Sequence, residues 1–114
     1  MRKLKLTINQ KDYVLEMNRL TIKWLEANGF SMEDFEKKPI THYDLLWISL
    51  FLTNHKEVNP NLAMKLLDSY EKENGGRMLT KVITFAIEEY QSFMNALTDT
   101  ELTTNEEKLE IIES

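Results

Sequence analysis

The first seventeen residues alternate apolar and polar side chains, whereas nearly all of the remaining chain has the spacing of helices. A period of two is the period of a β-strand, so the sequence predicts one β-hairpin over about residues 3–17. The apolar residues that share one face of this hairpin are Leu4, Leu6, Ile8, Tyr13, Leu15 and Met17. The polar residues 9–12 between the two runs predict a loop of three to five residues.

A hairpin alone is an incomplete structure. Two strands are marginally stable in water, and both of their outer edges are unpaired. The hairpin must therefore pack on the helices, pair with another chain, or do both. Because an unpaired edge can accept a strand from a second subunit, the pattern favours assembly over catalysis.

The rest of the body is predicted to consist of helices. Apolar spacing and capping residues predict them over about residues 19–28, 32–37, 42–54, 60–74 and 77–97. Asn18 and Ser31 are the expected caps of the first two, and Asn59 followed by Pro60 is the strongest start. Gly75-Gly76 ends the fourth helix because glycine tolerates positive φ. The fold class is therefore α+β and mostly α, with an N-terminal hairpin followed by four to five helices.

Two of these helices carry a more detailed prediction. In the first, the inward side is expected to hold Leu20, Trp24 and Ala27. In the third, Thr41 is the expected cap, and the run 45–52 is apolar on all sides, which requires neighbours all round. A buried strand would also fit so short a run, but the cap and the shortage of β-branched residues favour a helix.

Length and charge divide the chain into a body and a tail. At 114 residues we expect a single compact domain over residues 1–98 and an acidic, disordered tail over residues 99–114. Acidic and basic residues balance in the body, so the tail carries the whole net charge of −5. A neutral body has no excess of positive charge that could bind the phosphates of nucleic acid. The longest apolar run is too short to span a membrane. Within the tail, the candidate docking residues are Leu109, Ile111 and Ile112.

No pattern in the sequence indicates catalysis, a cofactor or a metal site. There is no cysteine, no Gly-x-Ser-x-Gly motif and no glycine-rich phosphate loop. His42 and His55 are each followed two residues later by a carboxylate, a spacing at which helical side chains do not face each other. We interpret both histidines as solvated or close to a cap, and we expect that the protein is not an enzyme.

Surfaces are then the candidate functional features. Met78 and Phe85 lie seven residues apart beside the apolar stripe of the last helix and widen it beyond what one neighbour needs. With the apolar residues of the hairpin they form the candidate interface, which comprises Leu4, Leu6, Ile8, Tyr13, Leu15, Met78 and Phe85.

The order of these elements resembles the small tail assembly chaperones of long-tailed, siphovirus-like bacteriophages. The resemblance covers about residues 4–97 and rests on the hairpin over residues 4–13, the Asn59-Pro60 helix start, the Gly75-Gly76 stop and the last amphipathic helix. The hairpin of that family often has glycine after the asparagine, so Gln10 implies a different turn here.

The resemblance implies a non-enzymatic protein of the host cell cytoplasm that is absent from the mature virion. Such chaperones form homo-oligomers, bind and solubilise the tape measure protein, and help to recruit tail tube subunits. Many also have a longer form made by ribosomal frameshifting. Two alternatives stay open: a structural virion part such as a head–tail connector, and a small acidic inhibitor of a host protein.

Overall fold

The chain begins with the predicted hairpin and continues as five helices, which confirms the α+β, mostly α fold class. The computed structural model describes residues 2–103. Its elements are β1 (Lys3–Ile8), β2 (Lys11–Glu16), α1 (Arg19–Ala27), α2 (Met32–Phe35), α3 (Pro39–Ser49), α4 (Pro60–Asn74) and α5 (Gly76–Thr103). Within this part of the chain, no helix has both the length and the apolar character needed to cross a membrane.

The strands pair antiparallel in a register that puts the apolar side chains on one face. Leu4 lies opposite Leu15, and Leu6 lies opposite Tyr13. This face packs on the helices, and Leu15 is fully buried. The predicted sharing of one face is confirmed.

The predicted loop of three to five residues is wrong, because the turn has only two. Asn9 and Gln10 have φ values of 52° and 67°, and positive φ at both positions is what a type I′ turn requires. The Asn9 N–H donates to Glu73 Oε1 at 3.0 Å, and Asn9 Nδ2 donates to Ser69 Oγ at 3.3 Å. These bonds fix the turn against α4, so Gln10 occupies a conformation that favours glycine rather than forming a longer loop.

Helix α1 is capped as expected but buries a different side. Asn18 accepts from the Thr21 N–H, and the Thr21 hydroxyl accepts from the Asn18 N–H. The buried residues are Thr21, Ile22 and Leu25 in place of the predicted Leu20, Trp24 and Ala27. Leu20 is 55% exposed. The Thr21 hydroxyl also donates to the Asn18 carbonyl, and a hydrogen-bonded hydroxyl can be buried at little cost.

Helix α3 is shifted relative to the prediction. It starts at Pro39 rather than at residue 42, and its cap is Lys38 rather than Thr41, because the fixed φ of proline suits the first turn of a helix. It ends at Ser49 rather than at residue 54, and Phe51 and Leu52 make tighter bonds to carbonyls three residues back. The expected enclosure on all sides is confirmed for its centre, where Leu46, Trp47 and Ile48 are buried.

Helix α4 begins and ends at the predicted residues, and α5 begins one residue before its predicted start. Asn59 accepts from the Leu62 N–H at 2.8 Å, and Gly75 ends α4 with a φ of 88°. Helix α5 continues past the predicted residue 97 to Thr103, so the first residues of the acidic tail are helical. The candidate docking residues Leu109, Ile111 and Ile112 lie outside the described residues, and the disorder of that segment stays a prediction.

Candidate protein-binding site

The hairpin has two outer edges whose backbone groups can be assigned from the register. In an antiparallel pair, every second residue points its N–H and C=O away from the partner strand. A two-residue turn makes Ile8 and Lys11 the first hydrogen-bonded pair. The outward residues are therefore Lys3, Lys5 and Thr7 on β1, and Asp12, Val14 and Glu16 on β2.

The edge of β2 is covered by the segment that follows α3. The Val14 N–H donates to His55 Nε2 at 2.9 Å, and the Val14 carbonyl accepts from Asn54 Nδ2 at 3.2 Å. The Glu16 N–H donates to the Leu50 carbonyl at 3.3 Å. These groups take the place of a third strand, so this edge has little capacity for a partner.

Both histidines are structural. The prediction that they are solvated is wrong, whereas a position close to a cap is confirmed for His42, which bonds the cap residue Lys38. His55 accepts the Val14 N–H, so its Nε2 carries no proton, and only 14% of its side chain is exposed. His42 is 2% exposed and packs between Phe30 and Phe35. Its Nδ1 donates to the Lys38 carbonyl at 2.9 Å, whereas its Nε2 is buried without a hydrogen-bond partner.

The edge of β1 is open. Across residues 2–103, no group bonds the outward backbone N–H and C=O of Lys3, Lys5 or Thr7. A groove of about 420 Å³ lies along this edge, between β1 and helices α4 and α5. The residues that line it are Leu4, Lys5, Leu6, Thr7, Tyr70, Asn74, Met78, Lys81, Val82 and Phe85. Free backbone groups therefore lie beside a mainly apolar groove.

The shape of the groove follows from the spacing on α5. Val82 is buried, whereas Met78 is 38% exposed. Met78 and Phe85 are two helical turns apart, so they lie on the same side of α5 and form one wall of the groove. Leu4 faces them from β1 and is only partly buried.

An ion pair fixes the start of β1 on α5. Glu89 is 4% exposed and accepts from the Arg2 backbone N–H at 2.9 Å and from Arg2 Nε at 2.7 Å. The Arg2 guanidinium also lies 5.4 Å from the centre of the Phe85 ring. Burial raises the pKa of Glu89, but the hydrogen bonds and the charge of Arg2 outweigh burial and lower the pKa.

The structure divides the seven residues of the candidate interface. Ile8, Tyr13 and Leu15 belong to the protein's own core, because the inner face of the hairpin covers the helices, so their assignment to an interface is wrong. Leu6 is also buried and contributes to the floor of the groove. Leu4, Met78 and Phe85 line the groove, where their role in binding stays a prediction.

Sequence reasoning missed the positive charge along the open edge. Lys3 and Lys5 are exposed, and they pair across the hairpin with Glu16 at 3.7 Å and Asp12 at 3.3 Å. If two copies of β1 paired antiparallel about Lys5, the two Lys5 side chains would lie directly opposite each other. Like charges in this position destabilise a sheet, and edge lysines oppose edge-to-edge pairing. The open edge is therefore better suited to a strand that brings a carboxylate.

A second groove lies between the start of α3 and helices α4 and α5. It measures about 480 Å³ and is bordered by Ile40, which is 72% exposed. Asp44 also lines it, and partial burial together with nearby Asp68 raises the pKa of Asp44. Its walls are helical, so it offers no open strand edge.

Comparisons with known proteins give one match. A family described as "Domain of unknown function (DUF5055)" matches residues 1–111, which includes most of the acidic tail. No curated protein and no solved structure matches the chain. Among residues 2–103, no three His, Asp or Glu side chains are grouped so that they could hold a metal ion.

Proposed function

The chain belongs to the DUF5055 family, and we propose that it acts by binding other protein chains, as an assembly chaperone of a phage tail. In this proposal it forms homo-oligomers, binds and solubilises the tape measure protein, and helps to recruit tail tube subunits. It has no catalytic role, and it acts in the cytoplasm of the infected cell without entering the mature virion.

The observation that carries the proposal is the open edge of β1 beside the apolar groove. An added segment gains main-chain hydrogen bonds from the edge and buries its apolar side chains in the groove. Lys5 and Lys81 border this groove, so the segment it fits best combines apolar residues with carboxylates. The order of elements, which resembles that of tail assembly chaperones, supports a stretch of the tape measure protein as the client.

Co-expression with the tape measure protein of the same phage tests the proposal. We expect the wild-type chain to keep the tape measure protein soluble and to co-purify with it. Met78→Asp places a charge on the wall of the groove and should abolish most of the co-purification. The matched control is Leu20→Asp, because Leu20 is also an exposed apolar residue in the first turn of a helix.

Two results would overturn the proposal. If the tape measure protein stays insoluble with the wild-type chain, the chaperone function is wrong. If Met78→Asp and Leu20→Asp co-purify equally well with the client, the groove is not the binding site. Detection of the protein in purified particles would instead favour a structural virion part.

A further inference from the structure

The last eleven residues have a composition that complements the groove. Residues 104–114 contain four glutamates and one lysine, together with Leu109, Ile111 and Ile112. The open edge has the opposite charge and is bordered by apolar side chains. We propose that the groove beside β1 is occupied by residues 109–112 of a second copy of this chain until a client displaces them. The inference rests on the groove being the binding site of the proposed function.

The alternation of the segment matches the alternation of β1. In an extended conformation Leu109 and Ile111 lie on one face and Glu110 on the other. In β1, Leu4 lies on the face of the strand that packs on the helices and lines the groove, whereas the neighbouring Lys5 borders the groove from the opposite face of the strand. A strand added to this edge therefore places its apolar residues in the groove and its carboxylate beside Lys5. Isoleucine is also among the residues that strands favour.

The charge of the edge supports this occupant over a second copy of β1. Lys5 already pairs with Asp12 at 3.3 Å, but both side chains are exposed, and such a pair contributes little stability. The lysine is therefore available to a further carboxylate. Glu110 supplies one, whereas β1 of a second copy would supply another Lys5.

The length of the chain favours the groove of a second copy over that of the same copy. Glu89 bonds Arg2 at the start of β1, and α5 then runs on to Thr103. At about 1.5 Å per residue, Thr103 lies about 27 Å along the helix beyond Phe85, at the near end of the groove. The six extended residues from Thr103 to Leu109 span only about 20 Å. Leu109 cannot reach the groove of its own chain without unwinding α5.

The family match extends into this segment. It extends to residue 111 and so includes Leu109, Glu110 and Ile111 together with the body of the protein. If two copies exchange these segments, each copy covers the apolar groove and the open edge of the other. Self-association then requires no pairing of one Lys5 with another.

The experiment measures self-association of the full chain without any client. Sedimentation should show concentration-dependent dimers for the wild-type chain and a monomer for the double variant Leu109→Asp/Ile111→Asp. The core described within residues 2–103 is complete without either residue, so folding should be unchanged. A fluorescent peptide of residues 104–114 should bind the double variant, because its groove is free.

A charge exchange tests the register. Lys5→Glu in the double variant should weaken peptide binding about tenfold, because it replaces an attractive pair by a repulsive one. A peptide with Glu110→Lys should restore binding to the Lys5→Glu chain. Lys37→Glu is the matched control, since Lys37 is an exposed lysine outside the groove. It should leave the affinity unchanged.

Three results would overturn the inference. The first is that the double variant self-associates as strongly as the wild type, and the second is that Lys5→Glu leaves the affinity for the peptide unchanged. The third is that the wild-type chain is a monomer whose own tail competes with the peptide. The test is independent of the client. If the peptide binds as expected but the tape measure protein is not solubilised, the chaperone function is wrong and the tail contact stands.

Discussion

The two edges of the hairpin have similar alternating sequences but opposite surroundings. On β2, the outward groups of Val14 and Glu16 are bonded by His55, Asn54 and the Leu50 carbonyl. On β1, the outward groups face a groove instead. One edge of a two-stranded sheet can thus be stabilised by its own chain while the other edge stays available to a partner strand. The capacity for binding depends on which edge the later chain covers.

The largest expected effect comes from a cross-strand pair that spans the two edges. Leu4 and Leu15 lie directly opposite each other, but Leu15 is fully buried and Leu4 is only partly buried. Leu15→Ala should lower the free energy of unfolding by about 3 kcal/mol, because it leaves a cavity in the core. Leu4→Ala should cost about 1 kcal/mol, because less apolar area is lost. Urea denaturation measures both, and equal losses would show that the two edges are equally buried.

The sequence predicts the elements well where local chemistry decides them. Asn59 and Gly75 mark the two ends of α4 because a capping side chain and a positive φ are properties of single residues. The turn at Gln10 could not be predicted, because the hydrogen bonds that hold it come from distant residues. Ser69 and Glu73 lie 60 and 64 positions after Asn9, which they bond. The same holds for the cover of β2, which comes from a histidine 41 residues further on.

Only part of the candidate site could be predicted from the sequence, because the rest depends on packing between distant segments. Met78 and Phe85 could be identified because they lie beside the apolar stripe of the last helix, which is already wide enough to pack against one neighbouring element. The apolar face of the hairpin could be identified too, but not whether a helix or a partner would cover it. Alternation determines the two faces of a strand, whereas only tertiary packing determines which of its edges is free.

The second prediction removes the cover from β2. His55→Ala deletes the acceptor of the Val14 N–H and an edge-on contact with the Tyr13 ring at 5.0 Å. The free energy of unfolding should fall by about 2 kcal/mol. Hydrogen exchange should show a protected Val14 amide in the wild type and a fast one in the variant, while the Lys5 amide is fast in both. Equal protection of the two amides in the wild type would contradict the difference between the edges.

The third prediction concerns the ion pair that anchors the open edge. Arg2 lowers the pKa of Glu89 below its ordinary value. The ion pair therefore stabilises the folded protein above about pH 4.5, and this contribution is lost as the pH falls through the lowered pKa. Glu89→Gln should reduce stability at pH 7 by about 1 kcal/mol, since Arg2 is largely exposed and the pair is screened. Denaturation at pH 7 and at successively lower pH should show that the difference between variant and wild type shrinks as the pH falls below about 4.5.

The smallest expected effect comes from the turn that joins the two edges. Gln10 has a φ of 67°, a left-handed conformation that strains any side chain with a Cβ, whereas glycine adopts it freely. Gln10→Gly should therefore raise the free energy of unfolding by about 0.5–1 kcal/mol, because relief of strain exceeds the entropy that glycine adds to the unfolded chain. Asn9→Gly is the comparison variant: it removes the bond from the Asn9 side chain to Ser69 and should give a smaller gain or a loss. The substitution at Gln10 alters neither the His55 cover nor the groove, so the exchange rates of the Val14 and Lys5 amides should keep their ratio. A Gln10→Gly chain that is no more stable than the wild type would mean that the turn is not strained at this position.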